Sequence, residues 1–473
     1  MEQKTIFLSI YNGIRAKNFF HTDTYRELVK DKNIRLVIAV PVSKAEYYGQ
    51  TFPESNVIFE PLDIVSEPWF GRLLAEVAFN AFGTRTIVFK QKLEYWKFRK
   101  LGRFLFKRAV NITLTPFQKP VRRVIRWLDR RFVAINPEVA ALLERYKPDL
   151  VIAPDIVFPL DRIFLRAAKR KGYSCVGLTR SWDNLTSKGV IQILPDKLIL
   201  HTERMKKQAV ELVGMPGEDI YISGPPDYDK YFKPLSVTKE EFCHELGIDP
   251  KRWLILFAPF YDEFTGSAIV MMRGLTDAIK QGKLPDDIQF LVRYRPATPE
   301  IPVNVLEPDA HFTITKPCSL YFKVKNRTQA PTKDWEFSPE DVDLLVHSIQ
   351  FSDMMINTFS TITIDAAAAD KPTIGIRFDA DSTCKPQHSV LKIPDAHDHY
   401  RELELSGGVR LVNTMDELVE AINNYLAHPE ADAIGRARIR KEQIGFTDGL
   451  NGKRSADFIR ATLSALHKKS AYQ

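Results

Sequence analysis

Cysteine is scarce in this chain of 473 residues: Cys175, Cys243, Cys318 and Cys384 each lie more than sixty residues from the next. No Cys-x-x-Cys pair occurs, so neither a zinc site nor a disulfide framework is expected, and a reducing cytoplasm fits. Long apolar runs are missing as well, and none approaches the roughly 18–20 residues that a membrane span requires. The opening Met1-Glu2-Gln3-Lys4 and the apolar Thr5–Ile10 are too brief and too acidic for a secretory signal. There is no Gly-x-Gly-x-x-Gly and no Walker sequence, so dinucleotide and P-loop readings lack their loops. Metal ligands are sparse. His397-Asp398-His399 offers two histidines without further partners and reads as a surface loop. Asp379-Ala380-Asp381 imitates a metal–diphosphate pair but reads as a nucleotide-adjacent loop. Neither a metal nor a cofactor is expected.

The chain is too long for one ordinary core, and two domains are the first expectation. A hydrophobic fraction of 44% and a charged fraction of 27% belong to a soluble globular protein. The net charge of +8 is unevenly placed. Residues 85–132 hold fifteen Lys/Arg against Glu94 and Asp129, a net +13, which leaves −5 for the remainder. The same segment is aromatic, with Phe89, Tyr95, Trp96, Phe98, Phe104 and Trp127 among its members. Aromatic and aliphatic residues interleaved with cations at helical spacing suit an interfacial helix on anionic lipid. Two other readings stand beside it: a helix pair with a solvated basic face, and RNA binding. Nucleic acid is not expected as a partner, because no recognised binding motif accompanies the charge.

Apolar runs alternate with amphipathic segments. Strands are expected at Ile6–Ile10, Arg35–Val40, Val57–Phe59, Leu150–Ala153, Cys175–Leu178, Lys197–His201 and Ile220–Ser223, with helices such as Asn18–Lys30 and Arg162–Lys171 between them. A second series follows at Leu254–Ala258, Gln289–Tyr294, Met354–Asn357, Thr373–Ile376 and Val409–Val412. This alternation predicts an α/β fold of two doubly wound, Rossmann-like domains with ligands outside the strand carboxyl ends, in an interdomain cleft. The expected boundaries are 1–232 for an acceptor- and membrane-facing domain, 233–445 for a nucleotide-donor domain, and 446–473 for a helix packing back toward the first. Pro299–Asp334, rich in Pro, Thr and Lys, reads as loops.

Ser352 to Ile376 is the most telling stretch: a short strand, a polar turn, a helix opening on Ser360-Thr361, and a second strand after Lys371-Pro372. A helix start at a parallel strand's carboxyl end presents backbone N–H groups and partial positive charge to phosphate. The Ala366–Ala369 run lets that helix lie close to its sheet. Arg293 and Arg295 flank Tyr294 and share one side of a strand. Two arginines so placed suit a diphosphate leaving group or, alternatively, salt bridges to acidic neighbours.

In these pieces, together with Gly224-Pro225-Pro226-x-x-Asp229, Ala258-Pro259-Phe260-Tyr261 and Asp448-Gly449-Leu450-Asn451-Gly452-Lys453-Arg454-Ser455, the C-terminal half resembles nucleotide-sugar glycosyltransferases of the GT-B fold. The branch that includes CDP-glycerol glycerophosphotransferases and non-hydrolysing UDP-GlcNAc 2-epimerases is the most similar. The resemblance implies donor contacts from Ser360, Thr361, Asn357, Arg293, Arg295, Phe260 and Tyr261. Asp365 is implied either near donor hydroxyls or as a support of the turn. Relatives usually carry Arg-x-His-Pro where this chain has Arg293-Tyr294-Arg295-Pro296, a change toward charge neutralisation. Where the glycerophosphotransferases place a His-Gly motif, this chain has Thr179-Arg180-Ser181-Trp182-Asp183, followed by Lys188. That polar loop is expected to recognise the acceptor through Trp182 and Lys188. Asp183 is either its general base or a cap for the turn. Gly13, Arg15 and Asn18, after the first strand, are the remaining acceptor candidates.

The expected activity is metal-independent transfer of a sugar from a nucleotide diphosphate donor to a surface-polysaccharide or lipid-linked acceptor, in cell-envelope polysaccharide biosynthesis. The enzyme is expected to be cytoplasmic and peripheral at the inner membrane face, held to the anionic surface by residues 85–132. Glycerophosphate transfer, UDP-sugar epimerisation and non-enzymatic binding of lipid or polysaccharide are the competing readings.

Overall fold

The computed structural model describes residues 3–63, 66–259, 265–294, 311–315, 320–326, 329–358, 360–380, 389 and 397–470. They form two compact units: Met1–Asp229 with Leu320–Phe337 and Leu450–Gln473, and Lys230–Ser319 with Ser338–Gly449.

In the first unit seven strands lie parallel: β1 (Lys4–Ser9), β2 (Ile34–Val40), β3 (Val57–Pro61), β4 (Leu150–Ala153), β5 (Ser174–Leu178), β6 (Lys197–Leu200) and β7 (Ile220–Ile222). Their order is β3-β2-β1-β4-β5-β6-β7, with Ile6 of β1 in register with Leu36 on one side and Leu150 on the other. Strands covered on both faces are apolar throughout, and β2 accordingly reads Ile-Arg-Leu-Val-Ile-Ala-Val. In the second unit β8 (Trp253–Ala258), β9 (Ile288–Arg293), β10 (Phe312–Thr315), β13 (Met354–Asn357), β14 (Thr373–Ile376) and β15 (Arg410–Val412) run in the order β10-β9-β8-β13-β14-β15. Both sheets therefore reverse direction of strand addition at one point, between β1 and β4 and between β8 and β13. Loops after such strands are where this architecture binds ligands.

Helices α1 (Gly13–Phe20), α2 (Asp23–Lys30) and α3 (Val42–Thr51) cover the first sheet, and α4 (Trp69–Asn80), α5 (Arg85–Phe98), α6 (Leu101–Leu114) and α7 (Gln118–Phe132) follow before β4. The single helix expected over Asn18–Lys30 is two. Thr22 takes extended backbone, and its hydroxyl donates to the Phe19 carbonyl at 2.8 Å, which ends α1.

The stretch expected to be loops, from Pro299 to Asp334, contributes to three strands: β10, and the antiparallel pair β11 (Leu320–Asn326) and β12 (Gln329–Glu336). Pro331 fits β12 because each strand of a two-stranded ribbon is an edge. The ribbon clusters with the first unit, whereas the sequence predicts a donor domain unbroken from 233 to 445. Lys44 anchors it. That side chain is fully buried, and its ammonium meets Asp334 at 2.6 Å and the Glu336 carboxylate, which also accepts from the Tyr48 hydroxyl at 2.6 Å. A buried ammonium is stable only with such partners.

The closing helix, Asn451–Ser470, belongs to the first unit. The Asp229 carboxylate accepts from the backbone N–H groups of Asn451 (2.9 Å) and Gly452 (2.8 Å), and Phe458 stacks on Tyr221 at 4.4 Å. Gly224 has φ +80°, and a Cβ there would lie 2.2 Å from the Asn451 side chain. The Gly224-Pro225-Pro226 and Asp448–Ser455 motifs thus meet as a clasp on this helix.

Candidate functional site

In the first unit the loops after β1, β4, β5, β6 and β7 surround a pocket lined by Arg15, Asn18, Thr179, Arg180, His201 and Asp227 among others. Its floor is charged. Arg15 is 2% exposed, lies over the Phe158 ring at 3.3 Å, and pairs with Asp155 at 3.1 Å and Asp161 at 3.9 Å. Arg180 approaches the same Asp155 oxygen at 3.7 Å, and Asn184 donates to the other at 2.9 Å. Burial pushes the Asp161 carboxyl up to about 7, against the pull of Arg15. Two guanidinium groups therefore share the Asp155 carboxylate.

Arg15 Nε and Nη1, Asn18 Oδ1 and Thr179 Oγ1 are buried with no hydrogen-bond partner in the protein. Buried polar atoms are ordinarily satisfied, so a run of such atoms around one pocket marks a place for a polar ligand. The set mixes donors with acceptors, which suits hydroxyl groups. His201 is a member that the sequence does not single out. Its Nε2 meets the Thr179 carbonyl at 3.1 Å and must donate there, which leaves Nδ1 as the basic nitrogen. Burial lowers its pKa against the pull of Asp227, so the ring is neutral at pH 7.

Asp183 and Lys188 lie beside this pocket. Asp183 Oδ2 accepts from the Ser187 hydroxyl at 2.7 Å, and its carbonyl accepts from the N–H groups of Thr186 and Ser187 at 3.1 Å. It therefore serves the turn, which is one of the two roles read for it. Lys90 from α5 donates to the Ser187 carbonyl at 2.8 Å. Burial pulls the Lys90 ammonium down to about 8, with Lys188 and Arg180 adding to the effect and Asp183 opposing it. Lys90 thus lies within electrostatic reach of two further cations and of the Asp183 carboxylate. Trp182 is buried, 4% exposed, and stands outside the pocket lining. At Gly13 the sequence predicts close passage of an acceptor. The Trp335 backbone passes there instead, and a Cβ on Gly13 would lie 2.2 Å from its carbonyl oxygen.

In the second unit the turn after β13 leads into helix Ile362–Ala368, seven residues long and one residue later in its start than the sequence suggests. Asn357 is fully buried, so it faces inward rather than toward a ligand. Its Oδ1 accepts from the Ser360 N–H at 3.1 Å, and its Nδ2 donates to the Thr363 hydroxyl at 3.2 Å. The carbonyls of Ser360 and Thr361 accept from the N–H groups of Thr363 (3.0 Å) and Ile364 (2.9 Å). Asn357 is thus a brace that holds the turn. Ser360 is half-buried and Thr361 exposed, while Ala366–Ala368 sit buried against the sheet. Asp365 accepts from the Tyr231 hydroxyl at 2.8 Å, the supporting role of the two read for it. Arg293 ends β9, is 5% exposed, and reaches the Asp341 carbonyl at 3.5 Å. Arg295, Phe260 and Tyr261 lie outside the described residues. Among the described residues no three His, Cys, Asp or Glu side chains gather as metal ligands.

Solved structures share this architecture at low identity. UDP-GlcNAc 2-epimerase from Neisseria meningitidis, bound to UDP-GlcNAc, aligns with a TM-score of 0.53 and 13% identity over 97% of this chain and 100% of its own. S. aureus MnaA with UDP gives 0.54 and 12% over 98% and 97%, and UDP-GlcNAc 2-epimerase from Methanocaldococcus jannaschii gives 0.53 and 12% over 97% and 99%. Two Rossmann-like domains of this kind are the GT-B architecture of nucleotide-sugar enzymes. No curated protein matches the chain in sequence. Residues 194–461, more than half of the chain, match the CDP-Glycerol:Poly(glycerophosphate) glycerophosphotransferase family, and the chain belongs to it. It is accordingly a transferase-type enzyme.

Proposed function

We propose that this protein transfers a glycosyl group from a nucleotide diphosphate donor to a surface-polysaccharide or lipid-linked acceptor, as a cytoplasmic enzyme peripheral to the inner membrane face. The observation that carries this reading is the braced turn at Ser360 and Thr361, at the switch point of the second sheet and inside the matched family segment. Donor phosphates rest on Ser360 and Thr361, with Arg293 and Arg295 countering the leaving charge, and Phe260 and Tyr261 beside the nucleotide. The first unit receives the acceptor: Arg15 and Asn18 shape the site for its hydroxyls. Lys188, Lys90 and Arg180 face an anionic group on it.

An acceptor hydroxyl oxygen bonds to the anomeric carbon as the carbon–oxygen bond to the diphosphate breaks. The nucleoside diphosphate leaves with the electron pair, and Asp183 takes the hydroxyl proton. No metal step is invoked, since the turn and the arginines supply positive potential to the leaving group. The UDP-GlcNAc and UDP in the related structures support a nucleotide-sugar donor. A second reading, glycerophosphate transfer from CDP-glycerol, is favoured by the family match and opposed by Thr179-Arg180 in place of a His-Gly motif.

Calorimetry with UDP-, CDP-, GDP- and dTDP-linked sugars and with CDP-glycerol tests the reading. Tight binding of one sugar donor, with product formed only when acceptor is present, is expected. Preference for CDP-glycerol selects the second reading, isomerised free donor indicates an epimerase, and no binding ends the enzyme reading.

A further inference from the structure

We propose that the pocket of the first unit takes the end of the acceptor as an uncharged polyol, gripped through adjacent hydroxyl groups, with Ser455 of the closing helix as part of its wall. This rests on the acceptor reading above. It deepens that reading by naming the chemistry of the acceptor's end and a residue outside the loops already described.

Ser455 lies one turn into the closing helix, whose first N–H groups, at Asn451 and Gly452, donate to the Asp229 carboxylate. A hydroxyl inside a helix ordinarily donates to the carbonyl four residues back. Thr462 and Ser464 of the same helix do so, to Phe458 and Arg460 at 2.9 Å each. Ser455 does not. It is fully buried, it lines the pocket, and its Oγ has no hydrogen-bond partner in the protein. Thr179 Oγ1, just past β5, repeats the pattern. So does Asn18 Oδ1 on α1, whose Nδ2 donates to the Arg180 carbonyl at 3.1 Å. Three elements remote in sequence thus bring unpartnered polar atoms to one pocket, a combination that buried groups ordinarily avoid.

The ligand follows from the inventory of donors and acceptors. Arg15 offers Nε–H and Nη1–H, Asn18 offers Oδ1, and His201 offers Nδ1 because its Nε2 donates to the Thr179 carbonyl. The hydroxyls of Ser455 and Thr179 serve in both senses. A ligand hydroxyl also donates and accepts, so adjacent hydroxyls answer the whole mixed set. Ionised phosphate only accepts, and would face Asn18 Oδ1, His201 Nδ1 and the Asp227 carboxylate with nothing to donate. An ammonium only donates, and would meet Arg15. The cations of the pocket are moreover matched within the protein: Arg15 and Arg180 by Asp155 at 3.1 and 3.7 Å, and Lys17 by Asp227 at 3.4 Å. An anionic group further along the acceptor belongs with Lys90 and Lys188, beside the pocket. Depth selects the end of the chain. Arg15, Thr24, Ile199, Ser223 and Ser455 line the pocket at no more than 2% exposure. Walls so buried admit a chain end, whereas a segment passing through needs an exit as well as an entrance.

The test is saturation-transfer NMR on the full chain, without donor, with glycerol, methyl α-glucopyranoside and inorganic phosphate as probes. Both polyols are expected to bind, and the tighter of them tells a glycerol end from a sugar end. Propane-1,2-diol is expected to bind about fivefold more tightly than propane-1,3-diol, whose hydroxyls are not adjacent, a difference of one hydrogen bond. Ser455→Ala and Thr179→Val should each weaken the preferred polyol about three- to tenfold. The melt of Ser455→Ala should be unchanged, since its hydroxyl holds nothing in the fold. Ser464→Ala, exposed on the same helix, should bind as wild type does. Should Thr179→Val fail to fold, Ser455→Ala alone decides. Polyol binding undiminished in Ser455→Ala overturns the proposal, as does displacement of the polyol by inorganic phosphate, or the absence of any polyol signal. None of these measurements uses a donor. A failed donor panel therefore strikes the transferase reading, and a failed polyol panel strikes this one.

Discussion

The switch points of the two sheets share one strand order and are built from opposite materials. Between β1 and β4 the first unit buries Arg15, Asp155 and Asp161 together and adds Arg180, Lys188 and Lys90 nearby. Between β8 and β13 the second unit uses small neutral groups, Asn357, Ser360 and Thr363, bound to one another and to backbone. Identical topology thus delivers a charged, tightly determined pocket in one place and a braced peptide turn in the other. The lesson is that strand order decides where a ligand site falls, and the few residues after each strand decide its chemistry.

The sharpest way to break this comparison is to remove the charge from the first switch point. Arg15→Met leaves Asp155 buried with a weakened partner set and should cost about 3–5 kcal/mol, the loss typical of a broken buried pair. Hydrogen exchange of β1 and β4 amides reports it, and protection equal to wild type would show that the ion pair carries no weight. Asp183→Asn comes next. Turnover is expected to fall about 100-fold with donor affinity unchanged, the usual contribution of a general base. If turnover holds, the capping role is the whole of its function, and His201→Gln becomes the test of the neutral imidazole as proton acceptor.

For the second switch point, Asn357→Ala removes the brace, and the unsatisfied Ser360 N–H should cost about 1–3 kcal/mol of local stability. Donor affinity should weaken with it, while binding of acceptor analogues stays constant. The smallest effect concerns Lys90. Its lowered pKa keeps the ammonium charged below about 8 and neutral above. Affinity for inorganic pyrophosphate at the first unit should therefore decline as pH rises through about 8, a few-fold at most because Lys188 and Arg180 remain. Lys90→Arg should flatten that decline, since a guanidinium stays protonated across the range. A pH profile identical in the two proteins would remove Lys90 from the cluster.

Much of the fold is legible in the sequence. All seven strands of the first sheet and five of the six in the second coincide with apolar runs, because strands covered on both faces must be apolar along their length. The ribbon of β11 and β12 escapes such a reading. Its alternation at Phe322, Lys323, Val324 and Lys325 is present, but Pro, Thr and Lys in its surroundings mask a pattern that needs no deep burial. The site is legible in place rather than in detail. Asp155 stands two residues past the end of β4, a position that a strand-end reading can flag. Lys90 reads from sequence as one more charge on a basic face, and His201 as the end of its strand.

Sequence periodicity alone determined that there are two parallel sheets, where their strand ends lie, and that residues 85–132 carry the excess of positive charge. Those are local properties, fixed by which side chains recur at which spacing. Tertiary structure alone decided that Asn357 turns inward, that Trp335 closes on Gly13, and that α6 buries a lysine while exposing leucine. Such outcomes depend on partners that are mostly far away along the chain, and no pattern within one segment can encode the direction from which a distant partner arrives.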